Sequence, residues 1–235
     1  MKREIDMDEI SDGRRYRSGD MVKIGCSECA GCFECCTLTD DTIILDPYDM
    51  FELCRGLDTT FDALLSGETG TRTDTTAPEA SPVIELGLAD GILLPHLKVD
   101  PGKGCSFLNE TGRCSIHGFR PGFCRLYPLG RIYEDGSFSY FLQVNECPYP
   151  NKTKVKIKKW LGIDSLPEYE AFVLKWHDVL EETRREASLK HEQTELSHYL
   201  VSFLKRYYRT PYDTDGSFYE QFRDRLNQEM THDTE

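Results

Sequence analysis

The stretch CSECAGCFECC, residues 26–36, constrains the fold of this chain more than any other. Five of its eleven residues are cysteine, at positions 26, 29, 32, 35 and 36. Thiols bind soft metals, form disulfides, or pack as small apolar groups, so a metal-binding loop, a disulfide knot and a buried turn are all open. The rest of the sequence has to separate these three possibilities.

The N-terminal sequence and the absence of long apolar runs predict a cytoplasmic protein without a membrane span. The first residues, MKREIDMDEISDGRRYRSGD, are charged and contain no apolar signal-peptide core. No apolar run approaches the roughly 20 residues that a membrane helix needs. In a reducing compartment, the ten cysteines of the chain favour metal binding or catalysis over a disulfide framework.

The charge balance argues against a nucleic-acid partner. The chain carries 41 acidic and 28 basic residues, a formal net charge of -13, whereas binding to phosphates needs a basic surface. One run is basic, and it indicates a solvated face rather than a docking patch for an acidic partner. Its lysines are Lys152, Lys154, Lys156, Lys158 and Lys159.

Hydrophobic patterns and turn residues predict an α+β fold: a small cysteine-rich module of short hairpins and a helix, followed by a C-terminal helical extension. We expect an irregular or weakly helical N-terminal arm over 1–25, a cysteine-cluster metal-binding domain over 26–150, and a helical extension over 151–235. The dipeptides Asp90-Gly91 and Asp135-Gly136 predict hairpin turns. The polar segment 66–82 predicts a loop or linker.

Several helices are predicted from caps and periodicity. Asp46 followed by Pro47 marks a helix start, and a short strand, 42–45, precedes it. Cys54 recurs with Phe51 and Leu57 at helical spacing and is interpreted as core. The C-terminal part predicts helices opening near Ser165, over 194–208 and over 218–230.

The spacing of the thiols predicts a metal centre, with two kinds left open. Three cysteines at C-x2-C-x2-C spacing can wrap one face of an iron–sulfur cubane, with further ligands from distant segments. Zinc, the alternative, takes four ligands, usually as two pairs. The distal cysteines come singly, at Cys105, Cys114, Cys124 and Cys147, and fit ligands that converge from different hairpins. His117 is interpreted as a hairpin residue rather than a ligand.

Three elements in order resemble the YkgJ-type cysteine-cluster family of zinc- or iron-chelating proteins. They are the C-x2-C-x2-CC motif, CSFL at 105–108, and GRCSIHGFRPGFCRLYP at 112–128. The resemblance implies the ligands Cys29, Cys32, Cys35, Cys36, Cys105, Cys114 and Cys124. Cys26 and Cys147 lie outside the minimal pattern and are candidate ligands from the residues alone.

Two arginines match non-cysteine positions of the motif. Guanidinium groups at Arg120 and Arg125 would offset the negative charge of clustered thiolates and lower the pKa of the thiols. An arginine paired with one of the many surface carboxylates is the competing interpretation, mainly for Arg120. Both are therefore candidate neighbours of the centre rather than ligands.

Iron, as an iron–sulfur cluster, is the favoured metal and Zn²⁺ the alternative. Whether the chain is an enzyme is left open. The cysteine-rich part is similar to that of flagellin lysine N-methylases, which implies a metal-dependent protein-modifying enzyme as one alternative. Another is a zinc-stabilised interaction module whose helices bind a protein partner, and an exposed apolar stripe around Trp160, Trp176 and Phe203 would favour it.

Overall fold

We describe the chain from a computed structural model, which covers residues 7–26, 33–38, 43–67, 82–100 and 104–228. Cys29, Cys32 and most of the predicted loop 66–82 lie outside these described residues. The helices and strands are α1 (Met7–Ile10), β1 (Met21–Gly25), α2 (Glu34–Leu38), α3 (Pro47–Leu57), α4 (Phe61–Ser66), β2 (Ile84–Ala89), β3 (Ile92–Leu97), β4 (Val99–Asp100), β5 (Gly104–Cys105), α5 (Gly122–Leu126), β6 (Leu129–Glu134), β7 (Ser137–Leu142), β8 (Thr153–Lys156), α6 (Ile157–Leu161), α7 (Leu166–Ser188), α8 (Gln193–Leu204) and α9 (Phe218–Asn227). The α+β class predicted from the sequence is confirmed.

Two hairpins form where the Asp-Gly dipeptides predicted them. Strand β2 pairs antiparallel with β3, and β6 pairs antiparallel with β7. At the turns, Asp90 and Gly91 have φ values of 50° and 82°, and Asp135 and Gly136 have values of 51° and 69°. Positive φ at both central residues is the type I′ geometry that matches the twist of the strands, and Asp-Gly adopts it at low cost.

The N-terminal residues contain the short helix α1, but they also contain a strand where the sequence predicted an irregular or weakly helical arm. Met21–Gly25 forms β1, which pairs antiparallel with β8 more than 100 residues later. In the two-stranded ribbon that β1 forms with β8, Val22 and Ile24 are buried, whereas Met21 and Lys23 are exposed. This alternation of buried and exposed side chains is the pattern of a half-buried strand. Tyr16 also exchanges backbone hydrogen bonds with Tyr140 of β7, at 2.8 and 2.9 Å.

The register of this ribbon sets Lys23 directly opposite Lys154, and both side chains are exposed. Like charges in direct cross-strand pairs destabilise a sheet, and opposite charges stabilise it. We therefore expect Lys154→Glu to raise the free energy of unfolding by about 0.2–1 kcal/mol, measured by thermal unfolding. Lys159→Glu makes the same charge change on α6 and serves as the control. An equal gain in the control would contradict the cross-strand explanation.

Helix α3 begins as predicted. The Asp46 carboxylate accepts a hydrogen bond from the Asp49 backbone N–H at 2.8 Å, and the Asp49 carboxylate accepts one from the Asp46 N–H at 3.1 Å. This reciprocal capping box satisfies backbone donors that the first helical turn leaves without partners. Pro47 occupies the first helical position. The predicted strand before it is a single bridge between Ile44 and His96 within the described residues.

The C-terminal helices α7, α8 and α9 are confirmed, and α8 ends in a π-helical turn over Lys205–Arg209. Trp176 of α7 stacks on Phe203 of α8 with ring centroids 5.8 Å apart, and it packs against Phe222 of α9 at 6.2 Å. Trp176 and Phe203 are only 6% and 1% exposed. This apolar stripe is therefore core, and the exposed stripe that would favour an interaction module is absent at these two residues.

The chain divides into two compact units that are each built from several segments. The first comprises residues 1–40, 99–117 and 122–175, and the second comprises 41–98, 118–121 and 176–235. The candidate ligand cysteines that lie within the described residues belong to the first unit. The division into an arm, a metal-binding domain and a helical extension stays a prediction. Among the described residues, no helix combines the length and hydrophobicity needed to traverse a bilayer.

Candidate metal centre

Helix α2 holds two adjacent thiols, those of Cys35 and Cys36. The helix is closed by hydrogen bonds from the N–H groups of Cys36 and Thr37 to the Phe33 carbonyl, at 2.9 and 3.2 Å. The Thr37 hydroxyl also donates to the Glu34 carbonyl at 3.0 Å. Both thiols are half-buried, so this single turn fixes two potential ligands beside the protein interior.

Strand β5 brings a third thiol, that of Cys105, next to α2. Cys105 pairs with Val99 of β4, and Gly104 precedes it with φ of +83°. A Cβ atom at Gly104 would lie 2.6 Å from the Cys36 carbonyl oxygen, which is far closer than a side chain allows. Glycine at this position therefore lets the backbone before Cys105 approach the backbone of Cys36.

A tight turn then returns the chain to a fourth thiol, that of Cys114. Cys114 forms a bridge with Leu108, and the Leu108 N–H donates to the Cys105 carbonyl at 2.9 Å. The Asn109 side-chain oxygen accepts hydrogen bonds from the backbone N–H groups of Thr111 and Arg113, at 3.1 and 2.9 Å. This side-chain closure of the turn places Cys114 back beside Cys105.

Cys35, Cys36, Cys105 and Cys114, which we call the thiol cluster, act on one another electrostatically. The pKa of Cys36 is raised far above that of an ordinary thiol, first by a hydrogen bond with Cys35, then by burial and by the charges of Cys35, Cys114 and Cys105. The pKa of Cys105 is also raised, by burial and by Cys114 and Cys35, against a lowering by a backbone hydrogen bond at Phe107. Three separate segments thus converge on one group of thiols.

The donor set of the thiol cluster fits a thiophilic metal. Without a cation, each thiolate disfavours its neighbours, and a bound metal ion reverses that repulsion and deprotonates coordinating thiols. In the part of the chain that the structure describes, no three Cys, His, Asp or Glu side chains are placed so that they could hold one metal ion. Cys29 and Cys32, the first two motif cysteines, lie outside the described residues.

Cys124 and Cys147 lie on neighbouring segments of the same unit. Cys124 is half-buried on α5, and Cys147 is half-buried after β7. The Tyr127 hydroxyl, three residues beyond Cys124, donates to the carbonyl of Glu146. Cys26, directly after β1, is 2% exposed. The ligand roles of these three cysteines stay predictions.

The two motif arginines have different surroundings. Arg125 is buried, and its guanidinium donates to the Leu161 carbonyl at 3.4 Å, at the C-terminal end of α6. A cation is favourable at the negative end of a helix, so this contact gives Arg125 a structural role beside the predicted one. Arg120 is half-buried and belongs to the second compact unit. Influence of either arginine on the thiols stays a prediction.

Cys54 provides a contrast with the thiol cluster. It lies on α3, in the second unit, and burial alone raises its pKa to about 11. No other thiol contributes to that shift. This supports the interpretation of Cys54 as a packed residue that is separate from the cysteines of the motif.

Gly104 belongs to the site but was not predicted from the sequence. Its position directly before the candidate ligand Cys105 could have indicated it.

We expect Gly104→Ala to lower both stability and metal content, because the added methyl meets the Cys36 carbonyl and positive φ disfavours alanine by about 1–2 kcal/mol. Gly91→Ala is the matched control, since Gly91 has φ of +82° and no atom within 4 Å of an added Cβ. Equal metal content in the two variants would contradict the close-approach argument.

Comparison with known families finds a match for the cysteine-rich part of the chain. Residues 28–149 match the CxxCxxCC family, described as "Putative zinc- or iron-chelating domain". No curated protein and no solved structure matches the chain, and the relation to lysine N-methylases stays a prediction. The match confirms the resemblance that the motifs indicated and supports metal binding. Since it covers more than half of the residues, the chain belongs to the CxxCxxCC family of zinc- or iron-chelating domains.

Proposed function

We propose that this protein is a cytoplasmic metal-binding protein that holds iron through its clustered thiolates, in an iron–sulfur centre. The thiol cluster supports the proposal, because cysteines from α2, β5 and the turn after it lie near enough to one another to raise the pKa of Cys36 and that of Cys105. Zinc bound by the same thiolates is the alternative outcome. The family description supports metal chelation itself.

The ligands that we propose are the motif cysteines. Cys35, Cys36, Cys105 and Cys114 supply the cluster that converges in the fold, and the remaining motif cysteines are Cys29, Cys32 and Cys124. Nine thiols, without Cys54, are more than one four-ligand centre needs. Two centres, or one centre with additional thiols from Cys26 and Cys147, would account for them.

The raised pKa values determine how these residues respond to a metal. Because the pKa of Cys36 and that of Cys105 lie above the ordinary thiol value, these side chains are protonated at neutral pH before a metal binds. Binding must then release one proton for each of them that becomes a ligand, so the affinity rises with pH. An iron–sulfur centre supplies a one-electron redox group when bound, whereas zinc supplies a structural cross-link.

The deciding experiment is elemental analysis of anaerobically purified protein, together with visible absorption and an assay for acid-labile sulfide. Iron and sulfide in comparable amounts, with a broad visible band, are the expected result. A colourless protein that contains zinc would replace the iron–sulfur proposal by the zinc alternative. Protein that retains neither metal after reconstitution would overturn both.

A further inference from the structure

The β1–β8 ribbon displays lysines on its outward side. Lys23 of β1 faces Lys154 of β8, Met21 faces Lys156, and all four side chains are exposed. The opposite side of β1 is buried through Val22 and Ile24. We call Lys23, Lys154 and Lys156 the basic face. From the sequence alone, the lysine run from residue 152 onward is interpreted as a solvated face. The strand pairing adds Lys23 to Lys154 and Lys156, and this larger group is the reason to consider an acidic partner.

The lysines of the basic face differ from other basic side chains in their contacts within the described residues. No ion pair joins Lys23, Lys154 or Lys156 to an acidic side chain there, whereas Arg184 and Arg185 of α7 pair with Glu181 and Glu182 at 2.6 Å and closer. Like charges placed directly across a ribbon cost stability. In a chain of net charge -13, a local group of uncompensated lysines is complementary to a negatively charged partner.

We propose that the basic face binds an acidic, extended polypeptide segment of a partner protein. Lys154 and Lys156 are two residues apart on one strand, a separation of about 6.6–6.8 Å. Alternate residues of an extended peptide have the same repeat, so carboxylates at every second position can meet successive lysines. In the described part of the chain β1 and β8 pair only with each other, which leaves strand edges where such a segment can add as a third strand.

The small size of the basic face favours a peptide over a nucleic acid or a membrane. Strand β8 has four residues, which span about 13 Å at roughly 3.3 Å per residue. A nucleic acid or a lipid bilayer extends well beyond this length, and its phosphates would then approach the acidic remainder of the chain. Salt at physiological ionic strength screens charges that are less than about 8 Å apart only in part, so the acidic side chains would repel these phosphates. A short acidic segment covers the lysines alone.

The test measures fluorescence anisotropy of a labelled peptide of alternating glutamate and threonine, titrated with the full chain in its metal-loaded form. A peptide with glutamine in place of glutamate is the first control. The expected result is binding of the glutamate peptide, weaker at higher salt, and no binding of the glutamine peptide. In Lys23→Gln/Lys154→Gln/Lys156→Gln, three lost surface ion pairs should weaken binding about tenfold.

The matched control variant carries Arg185→Gln, Arg209→Gln and Arg223→Gln, which are exposed residues and give the same change of net charge. It should bind the peptide within about twofold of the wild type. Absence of binding to the glutamate peptide, or an equal loss in both triple variants, would overturn the proposal. Tighter, lysine-dependent binding to phosphatidylserine vesicles or to single-stranded RNA would also overturn it. Should the triple variant misfold, peptide binding is measured instead with single Lys23→Gln, whose circular dichroism must be unchanged.

Discussion

Removal of the metal is expected to unfold the region around the thiol cluster, at a cost on the order of 10 kcal/mol if the site resembles structural zinc sites. The local fold has little else to hold it. Strands β4 and β5 have two residues each, and α2 has five. Phe107 and Ile116 are the buried apolar side chains of the turn from Cys105 to His117, too few to offset the conformational entropy of the loop.

The second compact unit should survive the same treatment. Its helices share an aromatic core in which Trp176 lies 5.2 Å from Tyr207 and 5.8 Å from Phe203, measured between ring centroids. Tyr208, also buried, donates a hydrogen bond to the Leu45 carbonyl at 2.9 Å. These contacts involve no cysteine, so they stabilise the helices without a metal.

Circular dichroism and residue-resolved hydrogen exchange, before and after treatment with a strong chelator, measure this result. Backbone protection should fall in 104–117 and be retained in α8 and α9. The control is chelator presaturated with the same metal, which should change neither measurement. Unchanged exchange in 104–117 after complete removal of the metal would show that the metal is not structural.

Local sequence patterns predicted much of the fold because the forces that act there are local. Positive φ at Asp90 and Asp135 follows from the residues of the turns themselves, and the cap at Asp46 from three neighbouring residues. Strand β1 was missed for the opposite reason. Its alternation spans five residues, and the partner that buries Val22 and Ile24 comes from β8, far along the chain.

The candidate site shows the same division between local and non-local information. Spacing within the motif identifies Cys35 and Cys36 as candidate ligands, and the family pattern adds Cys105 and Cys114. Their convergence depends on the contact between Gly104 and the Cys36 carbonyl, which no spacing rule contains. A glycine at positive φ is recognisable in sequence only when the turn that requires it is already known.

Cys36→Ser is expected to abolish most metal binding, whereas Cys54→Ser should leave it unchanged. The thiol of Cys36 interacts with those of Cys35, Cys105 and Cys114, which raise its pKa. Serine has nearly the same shape but remains a neutral alcohol at neutral pH and is a poor ligand for thiophilic metals. Changes outside the ligand set already cost metal sites about 10–100-fold in affinity, so loss of a thiolate should cost at least about 100-fold.

The two serine variants are compared by metal content after purification and by competition with a chromophoric chelator. Both remove one half-buried thiol, so a general effect of cysteine loss on folding would act on both. Cys54 belongs to α3, and only burial raises its pKa. Cys54→Ser therefore changes the packing around one thiol and leaves the thiol cluster unchanged. If Cys36→Ser holds as much metal, with the same affinity, as Cys54→Ser, then the centre is built from the other cysteines, and the convergence of α2 with β5 serves folding alone.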